Sequence, residues 1–253
     1  MNRRFGHSFI QSLDLLMPVI RGRQFDATCG ASKISNLLSP HQQERLRSIS
    51  KLMDCSQGEE TVLKEGSAAN FVYLVSHGLV RLSRSLTSGR RQVLAFMFPG
   101  DVFGFPEQGI YVNSATAMAN SVLFQVPWDK LNSLMQRDAQ LKSTFLVRMA
   151  FDLRQAQRRI LILGQQNVSQ RLATFLLDLI EHADFFDTAT KQLNLPVSRF
   201  DLGDYLGTSG ETVVRTFSQM EKEGLLIRLS PRRILIPDTV SLENLLLERR
   251  RTD

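Results

Sequence analysis

Between residues 57 and 126 the apolar residues come in short runs separated by turn formers. The runs are Phe71-Val72-Tyr73-Leu74-Val75 before His77-Gly78, then Leu79-Val80-Arg81-Leu82, then Gln92 to Phe98 before Pro99-Gly100-Asp101, and Ser121 to Val126 before Pro127. Short strands punctuated by Gly, Pro and Asn predict an antiparallel β barrel or sandwich of about 70 residues. Ahead of it, Ser39 precedes Pro40 at a first helical position, and Leu46, Ile49 and Leu52 step by three, which predicts a short helix. Residues 1–33 show no sustained period. Arg3, Arg4, Arg21 and Arg23 mix there with Gly22, Gly30 and Ser32, predicting a mobile extension with at most a short helix near Ser8 to Leu16.

After Pro127 the helical period returns and runs to about Ala183, interrupted at Gly164. Leu146, Met149, Leu153, Ala156, Ile160 and Leu163 alternate steps of three and four, the a/d seam of a coiled coil. The residues between them are largely Arg, Gln and Asp, as a solvated outer face requires. A core helix lying on the β domain has a similar pattern. The length and strict alternation favour self-association, so the seam predicts a parallel homodimer along residues 139–163. Gly164 is expected to break this helix, with Val168 to Ile180 forming another.

Further on, Arg199 to Leu206, the turn Gly207-Thr208-Ser209-Gly210, and Glu211 to Glu223 have the layout of a helix-turn-helix. Leu202, Leu206, Val213 and Phe217 can share a core, which leaves Thr208, Ser209, Glu211, Thr212, Val214 and Arg215 facing outwards. Glu211 and Arg215, four apart, share one helix face and complement a G·C pair: a carboxylate accepts from cytosine N4, and a guanidinium donates to guanine O6 and N7. Val214 offers a surface for a thymine methyl. The same spacing also suits an ordinary surface salt bridge. Gly224 to Arg228 and Arg233 to Ile236, joined by Leu229-Ser230-Pro231-Arg232, read as the β-hairpin wing of a winged helix. Arg199, Arg228, Arg232 and Arg233, with the Thr208, Ser209 and Thr212 hydroxyls, are candidate phosphate contacts.

The 253 residues are 43% hydrophobic and 22% charged, a globular balance. No apolar stretch approaches the roughly 18 residues of a membrane span, and Asp14 and Pro18 cut the run from Phe9 to Ile20, which argues against a conventional signal peptide. Two cysteines, Cys29 and Cys55, exclude a disulfide framework and a four-thiolate metal site, and suit a reducing, cytoplasmic setting. Net charge is +6, with a pI near 9.7. Residues 1–186 hold 21 Lys and Arg against 15 Asp and Glu, whereas residues 187–253 hold ten of each. Nucleic-acid binding by the C-terminal part therefore needs a local patch. The chain has no P-loop and no GxSxG elbow, and His77 is the sole histidine between residues 42 and 181, which argues against cupin-like metal catalysis and against an enzyme generally. A ligand-binding or protein-interaction module built on the β domain is the alternative to a DNA-binding regulator.

The order of parts resembles the Crp/Fnr family of bacterial transcription regulators. The match is carried by Asp201-Leu202-Gly203-Asp204-Tyr205-Leu206-Gly207-Thr208-Ser209-Gly210-Glu211-Thr212-Val213-Val214-Arg215, with Gly66, Gly78 and Pro99-Gly100-Asp101 as β-roll landmarks. The resemblance implies an α+β chain: an N-terminal antiparallel β-roll of the cyclic-nucleotide-binding kind, a long dimerisation helix and a C-terminal winged helix-turn-helix. It divides the chain into an extension (1–33), a β-roll (34–127), a dimerisation region (128–164), a DNA-binding domain (165–240) and a tail (241–253). The Asp-Tyr-Leu-Gly helix, and the absence of an Arg before Glu211, resemble the Fnr and FixK branches. These imply a homodimer on a palindrome of TTGAT- or TTGAC-like half-sites, an activator role and contact with RNA polymerase. Those branches commonly have Ser where this chain has Val214.

The family's cyclic-nucleotide binders carry Gly-Glu and Arg-Ser pairs around the phosphate. Here Gly104 is followed by Phe105-Pro106, and residues 92–129 contain no Lys or Arg, so a buried phosphate would lack compensation. No cyclic nucleotide is expected. Fnr's iron–sulfur cluster needs four cysteines, which this chain lacks, so no cluster is expected either. Haem stays open, since His7, His41, His77, His182 and several methionines are possible ligands, although His77 reads as a turn histidine. Cys29 and Cys55 read as inert thiols. Constitutive DNA binding, as in FixK, is the implied mode.

Overall fold

A computed structural model describes residues 34–247 apart from Ser56 and Ala119. The expectations for residues 1–33, including Cys29 and His7, and the end of the tail from residue 248 lie outside the described residues. Helices α1 (Ile34–Leu37) and α2 (Pro40–Ile49) come first. Ser39 caps α2 in a reciprocal capping box with Gln42. The helix stops at Ile49, one residue before an extended Ser50, and Leu52 lies in the following strand, more than half exposed. The expected helical step to Leu52 is thus corrected. Once the backbone extends at Ser50, side chains alternate faces, and Leu52 falls on the outer one.

The roll consists of β1 (Lys51–Cys55), β2 (Glu60–Leu63), β3 (Phe71–His77), β4 (Val80–Ser85), β5 (Arg91–Met97), β6 (Val102–Phe103), β7 (Ser114–Ala117) and β8 (Ser121–Pro127). Two antiparallel sheets, in the orders β1-β8-β3-β6 and β2-β7-β4-β5, enclose a core that includes Cys55, Leu63, Tyr73, Met97, Phe103, Tyr111 and Leu123. The β3–β4 turn requires glycine. Gly78 has φ +82°, and a Cβ there would sit 2.5 Å from the Ser121 hydroxyl, which accepts from the Leu79 N–H.

After Pro127 the helical stretch divides into α3 (Trp128–Arg137) and α4 (Ala139–Gln165). An interruption that the period does not predict falls at Asp138, whose extended backbone and carboxylate cap α4 through the Leu141 N–H at 2.8 Å. Gly164 does not break α4. The helix continues to Gln165, and the break falls at Gln166 and Asn167, where Asn167 forms a capping box with Gln170 for α5 (Val168–Ile180). A single glycine costs about 1 kcal/mol within a helix, less than a new cap and a packed α5 return. With 27 residues, α4 is about 40 Å long. Its N-terminal half packs Leu141 and Phe145 against Val72, Val102, Val126 and Leu131.

The C-terminal module continues with β9 (Phe186–Asp187), β10 (Gln192–Asn194), α6 (Arg199–Leu206), α7 (Gly210–Lys222), β11 (Ile227–Ser230), β12 (Arg233–Leu235) and α8 (Thr239–Leu247), its sheet ordered β11-β12-β10-β9. Its core does not close on itself. Leu79, Val93, Phe96 and Met118 of the roll share one buried cluster with Phe175, Leu179, Leu202, Leu206 and Phe217.

Asp138 gives the fold a pH-dependent element. The Leu141 N–H, followed by Gln42 and Arg45, holds its carboxyl below the ordinary value of 3.8. A depressed carboxyl stabilises the fold above its unfolded value and ceases to do so as pH falls through its folded value. Asp138→Ala is expected to cost about 1 kcal/mol at neutral pH. In urea titrations, the gap to the unmodified chain should narrow as pH drops below 3.8.

Candidate nucleic-acid interface

Helices α6 and α7 meet around side chains with no solvent exposure: Leu202, Leu206, Val213 and Phe217. Local chemistry sets each end. Ser198 caps α6 by accepting from the Asp201 N–H at 3.0 Å, Gly207 closes it in the left-handed region at φ +68°, and Ser209 caps α7 by accepting from the Thr212 N–H. The crossing is close because Gly203 has no side chain. A Cβ there would lie 2.8 Å from the Gly210 nitrogen and 2.9 Å from the Ser209 carbonyl carbon.

On the outer face of α7, Glu211, Val214 and Arg215 are all exposed. The Arg215 guanidinium donates to the Thr212 hydroxyl at 3.2 Å, and among the described residues no ion pair joins it to Glu211. The surface salt bridge that the spacing allows is therefore not made, and both groups point outwards at the N-terminal half of the helix. Ser209 is exposed, while Thr208 and Thr212 are half-buried; Ser209 and Thr212 share a hydroxyl–hydroxyl bond of 3.0 Å. The sequence reading passed over Lys222. It is exposed on α7 two turns beyond Arg215, and seven-residue spacing is the signal that marks it.

The wing forms from β11 and β12 with a register shift between Arg228 and Ser230. Arg232 and Arg233 are exposed near its tip. Two of the candidate phosphate contacts also have partners within the module. Arg228 is engaged by Glu221, which accepts from its backbone N–H at 2.8 Å, its Nε at 2.7 Å and its Nη2 at 2.6 Å. The backbone N–H and then the side chain pull the Glu221 carboxyl below its usual range. Arg199 lies 3.9 Å from the centre of the Phe217 ring and donates to the Pro231 carbonyl at 3.0 Å, so it ties α6 and α7 to the wing. Both arginines are held because the wing folds back on the helix pair, a contact that linear spacing does not show.

The six seam positions on α4 are exposed, with Leu153 at 62% and Ile160 at 69%. Leu141, Phe145 and Arg148 occupy an adjacent, buried face of α4. Arg148 is held there by Asp101 at 2.7 Å and Asp152 at 2.8 Å. The helix thus does lie on the β domain, but by a different face from the seam.

Side chains of both sheets pack together inside the roll. Tyr73 and Phe103 stack with centroids 5.4 Å apart, and the Tyr111 hydroxyl donates to the Phe71 carbonyl at 2.8 Å. Arg81, the cation on β4 with a buried side chain, points away from this interior towards Asp201 at 2.8 Å. Burial, reinforced by Glu60, pushes the Cys55 thiol up to about 11, which makes it a poor nucleophile. His77 Nδ1 lies 2.9 Å from the Asp184 carboxylate, and His182 stacks on Phe98. Among the described residues no three His, Cys, Asp or Glu side chains are placed to hold a metal, and no helix is long and apolar enough to cross a membrane.

Two domain families match the chain: a Crp-like helix-turn-helix domain over residues 170–245 and a cyclic nucleotide-binding domain over residues 56–138. The nitrogen fixation regulation protein FixK of Azorhizobium caulinodans is 32% identical over 185 residues, covering 73% of this chain and 75% of that protein. FixK of Rhizobium meliloti is 34% identical over 184 residues, covering 73% and 82%. The structure of FixK2 from Bradyrhizobium japonicum superposes with a TM-score of 0.70 at 32% identity, covering 78% of this chain and 97% of that one.

Gly203→Ala tests the close crossing. The clash is with backbone and cannot be relieved by a rotamer change, so a loss of about 1–3 kcal/mol is expected in thermal or urea unfolding. Weaker DNA binding should accompany it.

Proposed function

The chain belongs to the Crp/Fnr family of DNA-binding transcription regulators, near its FixK branch, and we propose that it acts as a homodimer reading a palindrome of TTGAT- or TTGAC-like half-sites. The observation that carries this reading is the outward, mutually unpaired placement of Glu211 and Arg215 on α7. An Arg in that position reads guanine through O6 and N7, its Glu neighbour accepts from the paired cytosine N4, and Val214 lies against a thymine methyl. Ser209, Thr208, Thr212, Arg232 and Arg233 supply phosphate contacts that position the helix without reading sequence. Self-association through Leu146, Met149, Leu153, Ala156, Ile160 and Leu163 places two such helices on one duplex.

The regulator needs no cyclic nucleotide or iron–sulfur cluster in this reading. Support comes from Arg81, turned outwards to Asp201, from the absence of Lys and Arg in residues 92–129, and from a chain with only two cysteines. Binding is constitutive, activity follows expression level, and the regulator activates transcription by contacting RNA polymerase. His77 and His182 sit against Asp184 and Phe98, which gives no support to a haem site.

Two measurements test this function. Arg215→Ala should cost about 1–3 kcal/mol on the specific palindrome and relax the preference for guanine. Equal losses on specific and scrambled duplexes at one salt concentration would contradict the base-reading role. Leu153→Glu combined with Ile160→Glu should give a folded monomer by light scattering that loses the palindrome; a variant that stays dimeric removes the seam from the interface.

A further inference from the structure

Helix α6 is gripped at both ends by parts of the chain outside the helix-turn-helix. At its N-terminal turn the Asp201 carboxylate, 3% exposed, takes the guanidinium of Arg81 at 2.8 Å and that of Arg91, both from the roll. Within its own module, the same carboxylate accepts the Ser198 hydroxyl at 2.8 Å. Arg91 also lies 3.8 Å from Asp204, whose carbonyl accepts from the Gln92 amide at 2.6 Å. Glu59 completes the group at 3.3 Å from Arg81. At the other end, the Arg171 guanidinium donates to the Leu206 carbonyl at 2.7 Å, the Gln166 carbonyl at 3.0 Å and the Leu163 carbonyl at 3.1 Å. One side chain thereby joins the C-termini of α4 and α6, where the helix dipoles favour a cation.

We propose that the Arg81–Asp201–Arg91 cluster makes the regulator selective for half-site spacing, by fixing the angle at which each recognition helix is presented. The proposal rests on the dimeric, palindrome-reading function above. Adjacent half-sites lie one helical turn apart, so one extra or missing base pair moves a half-site by about 3.4 Å and turns it by about 35°. A helix-turn-helix held at a single hinge could swing to follow. With α6 secured to the roll at Asp201 and to α4 at Arg171, its axis is fixed at two points about one helix length apart, and that swing requires breaking buried, paired charges. An apolar contact would hold the modules together equally well. A charge cluster with directional bonds adds orientation to attachment. Asp201 and the Arg81 and Arg91 guanidiniums are therefore positioning residues for α7.

The test is binding of the full-length protein, at fixed salt, to palindromes whose half-site centres are at the preferred separation or one base pair nearer or farther. The unmodified protein should lose affinity on the order of 100-fold on either altered duplex, as expected when the base contacts of one half-site are misplaced. Asp201→Asn should shrink that ratio about tenfold while leaving the preference for guanine within each half-site unchanged. Arg91→Gln, at a half-exposed position, should act in the same direction and serves if Asp201→Asn fails to fold. Folded dimers of both variants that keep the unmodified spacing ratio would overturn the proposal, and so would affinity falling equally on all three duplexes. An unmodified protein indifferent to spacing would instead overturn the palindrome-reading dimer itself.

Discussion

Phe96, on strand β5, places its ring 4.9 Å from Tyr205 on α6 and 5.6 Å from Phe175 on α5, and these aromatic contacts join the roll to the DNA-binding module. Tyr205 and Phe175 in turn meet edge-on at 5.6 Å, and the Arg159 guanidinium of α4 covers the Tyr205 face at 3.6 Å. Sheet, long helix and recognition module thus converge on three rings. Aromatic side chains bury large areas, so a junction built from them attaches the modules firmly. The polar partners around it, Asp201 beneath Arg81 and Asp184 beside His77 and the Gly78 N–H, are placed by that apolar contact and add direction to it.

Helix α4 serves two surfaces at once. Near its start it is amphipathic toward the roll, with Leu141 and Phe145 buried and Arg148 neutralised by Asp101 and Asp152. Along its length a second stripe of apolar residues faces solvent, the kind of patch that marks an interaction site. Among the described residues the six seam positions stay exposed. In the proposed dimer a second copy would offer the same stripe in return, the geometry of a self-complementary interface.

The recognition module was legible from the amino-acid order because its structure is local. Ser198, Gly207 and Ser209 act within a turn of where they stand, and the Leu202, Leu206, Val213 and Phe217 core lies within 16 residues of chain. Strand β1 and the break at Asp138 were not legible. Leu52 continues a three-residue step by coincidence, and Asp138 becomes a cap because its backbone extends, with Gln42 and Arg45 of α2 arriving from over ninety residues away. Arg199 and Arg228 were read as phosphate ligands on charge and place alone. Their partners, Pro231 and Glu221, come within reach only after the wing folds onto α7.

The sequence alone determined the order of most elements, the caps and turns that delimit the helix-turn-helix, the apolar seam of the long helix, and the polar residues on the outer face of α7. These depend on periodicity and on bonds between near neighbours, which local chain chemistry dictates. Tertiary structure alone decided which cations have partners within the fold and which are left without an ion pair among the described residues. It turned Arg81 from the roll interior to Asp201, held Arg228 to Glu221, and left Arg215 pointing outwards. Charge pairs and aromatic contacts between residues a hundred positions apart form only when the hydrophobic core has brought their elements together, so no local pattern encodes them.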